Sequence, residues 1–170
     1  MTALAQSETD THWMRQALSA AREAQQRGEV PIGTCIVSRD AQLIAVAGNR
    51  TRTDNDPTGH SEIIALRAAA RAIGNYRLVS ATVYSTIEPC AMCAGALIQA
   101  RVQRLVYGAP DERAGAVKSR FRVCDTDFLN HRIDVSTGVL EEECRALVQD
   151  FFRSRRDETT AEQARLSNEG

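Results

Sequence analysis

Short strand-like runs alternate with helical runs along most of this chain, and this alternation restricts the fold more than any other feature. Residues 34–50 (TCIVSRDAQLIAVAGNR) contain two apolar runs about a polar turn, which is typical of a β-hairpin. Further strands are predicted in ATVYSTIE, QRLVYGAP and HRIDVS, with helical segments between them. A hairpin followed by alternating helices and strands predicts a three-layer α/β/α sandwich with a five-stranded mixed sheet.

Four helical segments lie before, between and after these strands. The first shows helical spacing of apolar residues from HWMRQAL onwards and stops at Gly28. A second follows His60 and ends near Gly74, and a third begins after Pro89, because proline is favoured at a helix start. The last, GVLEEECRALVQDFFRSRR, is strongly periodic.

Composition indicates a soluble chain of ordinary type, with 170 residues, 43% hydrophobic and 25% charged. We predict one domain over residues 1–156 and a polar tail, 157–170, that is frayed or disordered. No run approaches the roughly 18 apolar residues of a membrane span, and the N-terminal segment lacks the pattern of a secretory signal. Five cysteines, an odd number, favour reduced thiols or metal ligands over disulfides. Together these features predict a cytoplasmic protein without a membrane partner.

Two short motifs contain the residues best suited to chemistry. In PTGHSEI, His60 and Glu62 stand two positions apart at a helix start, so their side chains diverge. In EPCAMC, Cys90 and Cys93 lie one helical turn apart, and both sulfur atoms can reach one point. A helix start also favours the thiolate form of cysteine, which is the form that binds metals.

One imidazole and two thiolates supply three protein ligands, the number found in catalytic zinc sites that keep a fourth position for water. We therefore predict that His60, Cys90 and Cys93 bind Zn²⁺, which lowers the pKa of its water towards about 7. Glu62, beside the metal but not on it, is predicted to carry protons between water and substrate. The combination H-x-E and P-C-x-x-C is a known signature of zinc nucleobase deaminases.

The remaining cysteines and histidines have other expected roles. Cys35 and Cys144 are expected to pack in the core, and His12 and His131 are not expected to bind metal. As an alternative, Cys124 supplies a fourth ligand, which would make the zinc site structural.

From these motifs outward, the chain resembles the bacterial tRNA-specific adenosine deaminases over residues 13–156. The segments NRTRTDNDPTGHSEI, YGAPDERAGA, LNHRIDV and GVLEEECRALVQDFFRSRR carry the resemblance beyond the zinc motif. It implies a cytidine-deaminase-like homodimer with one zinc ion per subunit. The implied reaction converts the wobble adenosine, position 34 of an arginine tRNA anticodon, to inosine. Metal-bound hydroxide would attack C6 of the flipped adenine, with Glu62 shuttling protons.

The resemblance also implies residues that contact the RNA. Asn49 corresponds to an asparagine that hydrogen-bonds the flipped base, and the backbone N–H of Ser61 is a candidate anchor for the attacking water or the base. Asp111 falls where the family contacts the anticodon loop.

The terminal segment FFRSRR resembles one that lines the tRNA groove. Phe151 and Phe152 are expected to stack on splayed bases and Arg153 to contact phosphates. Alternatively, the two phenylalanines form the core-facing side of the last helix.

The chain departs from its relatives at Gly59 and Ser61, where many members have alanine, and in the basic segment 117–128. These departures leave the RNA substrate open. One alternative function is deamination of a free base or nucleoside (guanine or cytosine), which uses the same zinc motif. Another is a non-catalytic, zinc-stabilised RNA-binding module, against which the unligated Glu62 argues.

Overall fold

The computed structural model describes the backbone of residues 3–168 and the side chains of residues 7–163 and 165. The helices and strands follow in the order α1 (Ala3–Gln26), β1 (Gly33–Val37), β2 (Leu43–Gly48), α2 (Ser61–Ile73), β3 (Thr82–Ile87), α3 (Ala91–Gln99), β4 (Arg104–Ala109), β5 (Asp134–Thr137) and α4 (Glu141–Asn168). A short 3₁₀ turn, Val123–Asp125, interrupts the long connection between β4 and β5. No helix in this described part of the chain is long and apolar enough to cross a membrane.

The five strands form one mixed sheet in the order β2-β1-β3-β4-β5. Strand β1 pairs antiparallel with both β2 and β3, whereas β3, β4 and β5 are mutually parallel. The hairpin and the alternating strands predicted from the sequence are therefore confirmed, as is the mixed sheet.

Apolar side chains of successive strand residues point to opposite faces of the sheet and define two core layers. Val83 and Leu105 pack against α2 and α3 on one face. Tyr84 and Val106 pack against α1 and α4 on the other. The result is the predicted three-layer α/β/α sandwich, with Cys35 and Cys144 buried in the second layer as expected.

Two helices are longer than the sequence pattern predicted. Helix α1 begins at Ala3 rather than near residue 12, and α4 continues to Asn168. The tail was expected to be frayed or disordered, but its alanine, glutamate, glutamine and arginine residues favour a helix. The proposed limits of the domain (1–156) and tail (157–170) stay a prediction, and residues 1, 2, 169 and 170 lie outside the described part.

A buried charge pair attaches α1 to the sheet. Arg104 on β4 donates to both carboxylate oxygens of Asp10 at 2.7 Å, and the hydroxyl of Tyr84 donates to the same carboxylate at 2.9 Å. Asp10 is only 5% exposed. Because a buried carboxylate needs such partners, this pair accounts for a helix start that the polar N-terminal sequence did not predict.

We expect Asp10→Ala to lower the free energy of unfolding by about 1.5–3 kcal/mol, because it removes the carboxylate acceptor of the Tyr84 hydroxyl and leaves Arg104 with only the Ser136 hydroxyl. Urea unfolding followed by circular dichroism measures the change. Glu8→Ala is the matched control, since Glu8 lies on the same helix but is exposed. Equal stability of the two variants would contradict a stabilising role for the pair.

Candidate active site

Three metal-binding side chains converge where α2 and α3 begin. His60 and Cys90 occupy the N-cap positions of these helices, and Cys93 lies in the first turn of α3. The Nδ1 atom of His60 is 3.6 Å from the Sγ atoms of both cysteines. All three donor atoms lie within 4.8 Å of one another, so two motifs 30 residues apart in sequence share one point in space.

The spacing of these donors fits tetrahedral zinc. Zinc–sulfur bonds of about 2.3 Å and zinc–nitrogen bonds of about 2.0–2.1 Å place a nitrogen and a sulfur ligand about 3.6 Å apart. A hydrogen bond from Cys93, together with the neighbouring His60, lowers the pKa of Cys90 to about 4 despite its partial burial. One sulfur is therefore a thiolate, the form that binds metal, at neutral pH.

No fourth His, Cys, Asp or Glu joins this cluster among the described side chains. Cys124 is buried in the core layer beneath α2 and α3, and burial raises the pKa of its thiol to about 11. The ring of His131 is hydrogen-bonded to the carbonyl oxygen of Val102. A set of three protein donors is typical of catalytic zinc sites rather than structural ones.

Glu62 lies beside the three donors without being one of them. Its carboxylate is 4% exposed, accepts a hydrogen bond from the Ser61 hydroxyl at 3.1 Å and lies 3.5 Å from the Ser85 hydroxyl. Burial raises the pKa of Glu62 above its ordinary value. A carboxylate whose pKa is raised accepts a proton more readily than an ordinary one, which suits a group that carries protons.

The structure assigns a different partner to the backbone N–H of Ser61 than the one expected. This N–H donates to the Oδ1 atom of Asn49 at 2.8 Å, so it does not face a water or a base. Asn49 is 4% exposed, and fixing its Oδ1 atom leaves the Nδ2 amide as the group that can donate elsewhere. Thr34 donates to the Ser61 hydroxyl, which in turn donates to Glu62, giving a short buried chain.

A second buried glutamate, not singled out in the sequence, organises the loop on one side of the cluster. Glu88 accepts hydrogen bonds from the backbone N–H groups of Asp111, Val117, Lys118 and Ser119 at 2.7–3.1 Å, and from the Ser119 hydroxyl. Burial acts to raise the pKa of Glu88, but these bonds hold it below its ordinary value. We refer to residues 111–119 as the β4 loop.

The side chain of Asp111 forms hydrogen bonds within the β4 loop itself. Its Oδ1 atom accepts from the backbone N–H groups of Arg113 and Ala114 at 2.9 and 3.1 Å. Gly115 pairs with Cys90 in an isolated β-bridge, which brings the β4 loop against the metal-binding cluster. Asp111 therefore lies near the site, with one carboxylate oxygen engaged in a local turn.

A third glutamate, Glu29, organises the loop on the other side. Its carboxylate is completely buried and accepts from the backbone and side chain of Thr53, from the backbone of Arg52 and from the Thr51 hydroxyl. This loop, residues 50–59, joins Asn49 to His60 and is called the β2 loop below. One sequence feature is common to Glu29 and Glu88 and could have drawn attention to them. Each stands one or two positions before a proline at the edge of a strand.

Gly59 closes the β2 loop, with its carbonyl accepting from the N–H of Arg50 at 2.9 Å. A Cβ atom at this position would lie 3.0 Å from the carbonyl oxygen of Asp56 and 3.2 Å from the backbone of Arg50 and Thr51. An alanine here would require these backbone atoms to shift by a few tenths of an ångström.

We expect Gly115→Ala to destabilise the protein by about 1–3 kcal/mol, because the added methyl group would overlap the Glu88 carboxylate and lie 2.6 Å from the Asp111 carbonyl oxygen. Gly95→Ala is the control: its methyl group meets nothing within 4 Å, and removing a helical glycine should stabilise by about 0.5–1 kcal/mol. Thermal unfolding of both variants checks whether the change in stability is negative for Gly115→Ala and positive for Gly95→Ala. Two variants of equal stability would contradict the packing of the β4 loop.

The terminal segment divides into a packed and an exposed part. Phe151 is 9% exposed and lies beneath the guanidinium of Arg155, so it is not placed to stack on RNA. The alternative of a core-facing Phe151 thus agrees with the structure. Phe152 is 44% exposed, and Arg153 is an exposed residue paired with Asp150. These two side chains remain accessible.

The fold and the site together define a class of protein. An α/β/α sandwich with one histidine and two cysteines at two helix starts, and a buried carboxylate beside them, is the arrangement of a zinc nucleobase deaminase. In agreement, residues 8–156 match the sequence family described as MafB19-like deaminase.

Comparison with individual proteins gives the family. The chain is 45% identical to the tRNA-specific adenosine deaminase of Haemophilus influenzae over 95% of its own length and 94% of that protein. It is 47% identical to the enzyme of the same name from Agrobacterium fabrum, covering 86% and 95% of the two chains. A solved structure from work on A-to-I editing by tRNA:A34 deaminases superposes with a TM-score of 0.78, at 47% identity over 81% of this chain and 99% of the other. The chain belongs to the family of bacterial tRNA-specific adenosine deaminases.

Proposed function

We propose that this protein converts the wobble adenosine of a tRNA anticodon to inosine by hydrolysis, with release of ammonia. The observation that carries this proposal is the buried Glu62 carboxylate beside three converging metal-binding side chains. The family supports a tRNA substrate, since its members bear the name tRNA-specific adenosine deaminase. An arginine tRNA is the proposed substrate because of the resemblance set out above.

Zinc is the proposed metal, with one ion per chain held by His60, Cys90 and Cys93. When bound, zinc supplies Lewis-acid activation of water at neutral pH. The donors favour this metal, because two thiolate ligands and one imidazole suit zinc better than magnesium or calcium, which prefer oxygen.

Glu62 is the proposed proton carrier. Its carboxylate accepts a proton from the water that attacks C6 of the adenine, and delivers a proton to ring atom N1. Glu62 then takes the remaining proton from the oxygen now bonded to C6 and delivers it to the exocyclic N6 atom, so that ammonia departs as the C6–N6 bond breaks and the C6 carbonyl of inosine forms. The hydroxyl of Ser61 keeps this carboxylate oriented through its 3.1 Å hydrogen bond.

Asn49 is proposed to bind the base. With its Oδ1 atom engaged by the N–H of Ser61, the Nδ2 amide is the group available to donate to an acceptor on the purine. A base that lacked this acceptor would leave a buried amide unpaired, at a cost of about 1–3 kcal/mol. The adenine must leave its stack to reach such a buried group, and an unpaired anticodon loop makes this inexpensive.

Asp111, Phe152 and Arg153 are proposed to contact the anticodon stem-loop outside the reacting base. We also propose that the protein acts as a homodimer in the cytoplasm, as the resemblance to this family implies.

Inosine formation on a transcript of the arginine tRNA anticodon stem-loop tests the proposed function. Adenosine at the wobble position should be converted, whereas a transcript with guanosine there should not react. Ammonia release from free guanine or cytosine without reaction on RNA would instead establish a free-base deaminase. Stoichiometric zinc without deamination of any of these substrates would establish a non-catalytic module.

A further inference from the structure

A pocket of about 600 Å³ lies outside the metal-binding cluster, between the end of α1, the β2 loop and α4. It is lined by Arg27, Gly28, Arg52, Thr53, Asn55 and Arg155. Three of these six residues are arginines, and each comes from a different part of the chain.

Two of the guanidinium groups share one uncharged hydrogen-bond acceptor. Arg52 and Arg155 both donate to the carbonyl oxygen of Gly28, at 3.0 and 3.3 Å. Gly28 has a φ of +76°, and a Cβ atom there would lie 3.4 Å from the Arg155 guanidinium and 3.9 Å from that of Arg52. The positive φ favours glycine at this turn, while the two distances correspond to ordinary van der Waals contact. The side chain of Arg27 makes no hydrogen bond within the described part of the chain, although its charge helps to lower the pKa of Asp54.

The carboxylates near this pocket offset its positive charge only in part. Glu29 lies below the β2 loop, with its oxygen atoms engaged by the N–H and hydroxyl groups of residues 51–53. Asp54 is bound by two nitrogen atoms of Arg50 at 2.8 Å. Glu158 makes a single exposed contact with Arg155 at 3.3 Å. Like charges held close together repel, so an anion entering the pocket would be favoured.

We propose that this pocket binds a phosphate group, and that in the working enzyme it takes a backbone phosphate of the RNA. Guanidinium groups match phosphate oxygens in bidentate geometry, and the side-chain amide of Asn55, which also lines the pocket, offers a further donor. The β2 loop that carries Arg52 also joins Asn49 to His60. The loop that lines the pocket is therefore the segment between the proposed base-binding residue and the first proposed metal ligand. The choice of RNA as the source of the phosphate rests on the proposed function.

Binding of an anticodon stem-loop RNA to the full-length protein, measured at several salt concentrations, tests this proposal. We expect the double variant Arg27→Gln/Arg52→Gln to bind about tenfold more weakly at 0.1 M salt. The slope of log K against log salt should fall by about 0.7–1 for each phosphate that the variant no longer neutralises. In turnover with RNA the weaker binding should raise KM. Arg155→Gln should act in the same direction.

Arg39→Gln is the matched control, because Arg39 is exposed in the turn between β1 and β2, at the far end of β1 from the pocket. A parallel calorimetric titration with inorganic phosphate separates the two sources of the ligand. The double variant could lose phosphate binding and still bind RNA as the wild type does. That result would support a phosphate-binding pocket but would show that its ligand is free phosphate and not the RNA backbone. RNA and phosphate binding both equal to those of Arg39→Gln would overturn the proposal.

The pocket and the proposed function fail in different ways. Wild-type protein that binds the RNA with the expected salt dependence but forms no inosine would refute the function and leave the pocket standing. Inosine formation that responds identically to all the arginine variants would refute the pocket alone.

Discussion

Glu62→Gln is expected to abolish deamination while leaving the metal in place. The amide is nearly isosteric with the carboxylate and can still accept from the Ser61 hydroxyl, but it cannot take up a proton from water. Loss of general acid–base catalysis typically lowers the rate by about 10²–10⁴-fold, and here one group serves both proton transfers. Inosine formation under single-turnover conditions measures the rate, and atomic absorption measures the zinc content.

The control for Glu62→Gln is an exposed glutamate with the same change, Glu143→Gln on α4. Loss of zinc together with activity would show that Glu62 is a metal ligand. Activity within tenfold of wild type would show that another group carries the protons.

Cys93→Ser is expected to lose both zinc and activity. The Cys93 side chain is completely buried, and its sulfur lies 3.6 Å from the Nδ1 atom of His60. A serine hydroxyl is a much weaker zinc ligand than a thiolate, so the content should fall from one ion per chain towards zero. Because metal binding to the folded state stabilises it, the apparent stability at saturating zinc should also fall, by about 4 kcal/mol if zinc stands at 1,000 times its Kd.

Cys124→Ser provides the matched control for this prediction, since Cys124 is equally buried but lies outside the donor cluster. It should retain one zinc ion and most of its activity, with a modest loss of stability from a hydroxyl in the core. Circular dichroism separates metal loss from unfolding in both variants. Retention of zinc by Cys93→Ser, or its loss from Cys124→Ser, would contradict the assigned donor set.

The sheet was predictable because its strands are apolar, short and bounded by turn residues, as ATVYSTIE and QRLVYGAP illustrate. The metal donors were predictable because His60, Cys90 and Cys93 hold fixed positions at two helix starts, and helix geometry then brings them together. The start of α1 and the end of α4 were not predictable from the spacing of apolar residues. They depend on tertiary contacts and on the helix propensity of polar residues. Asp10, for example, is a polar residue in a polar segment until Arg104 is placed beside it.

The two loop-organising glutamates were missed for a similar reason. Glu29 and Glu88 bind backbone N–H groups, and backbone groups leave no trace in the sequence of the loop that supplies them. Asn49 was singled out as a base-binding residue, but its hydrogen bond with the N–H of Ser61 was not foreseen. The N–H of Ser61 was expected to face a water or a base, and a neighbouring amide occupies it instead.

Both helices that carry the metal donors begin without the usual side-chain cap. His60 and Cys90 adopt the extended N-cap conformation, but neither residue is one of the serine, threonine, asparagine or aspartate side chains that usually cap a helix. A serine, threonine or aspartate there would contribute about 0.5–2 kcal/mol to each helix. A metal ion bound by the proposed donors would instead link the first residues of both helices. Hydrogen exchange in the first turns of α2 and α3 should consequently report metal occupancy in a protein whose core stays folded.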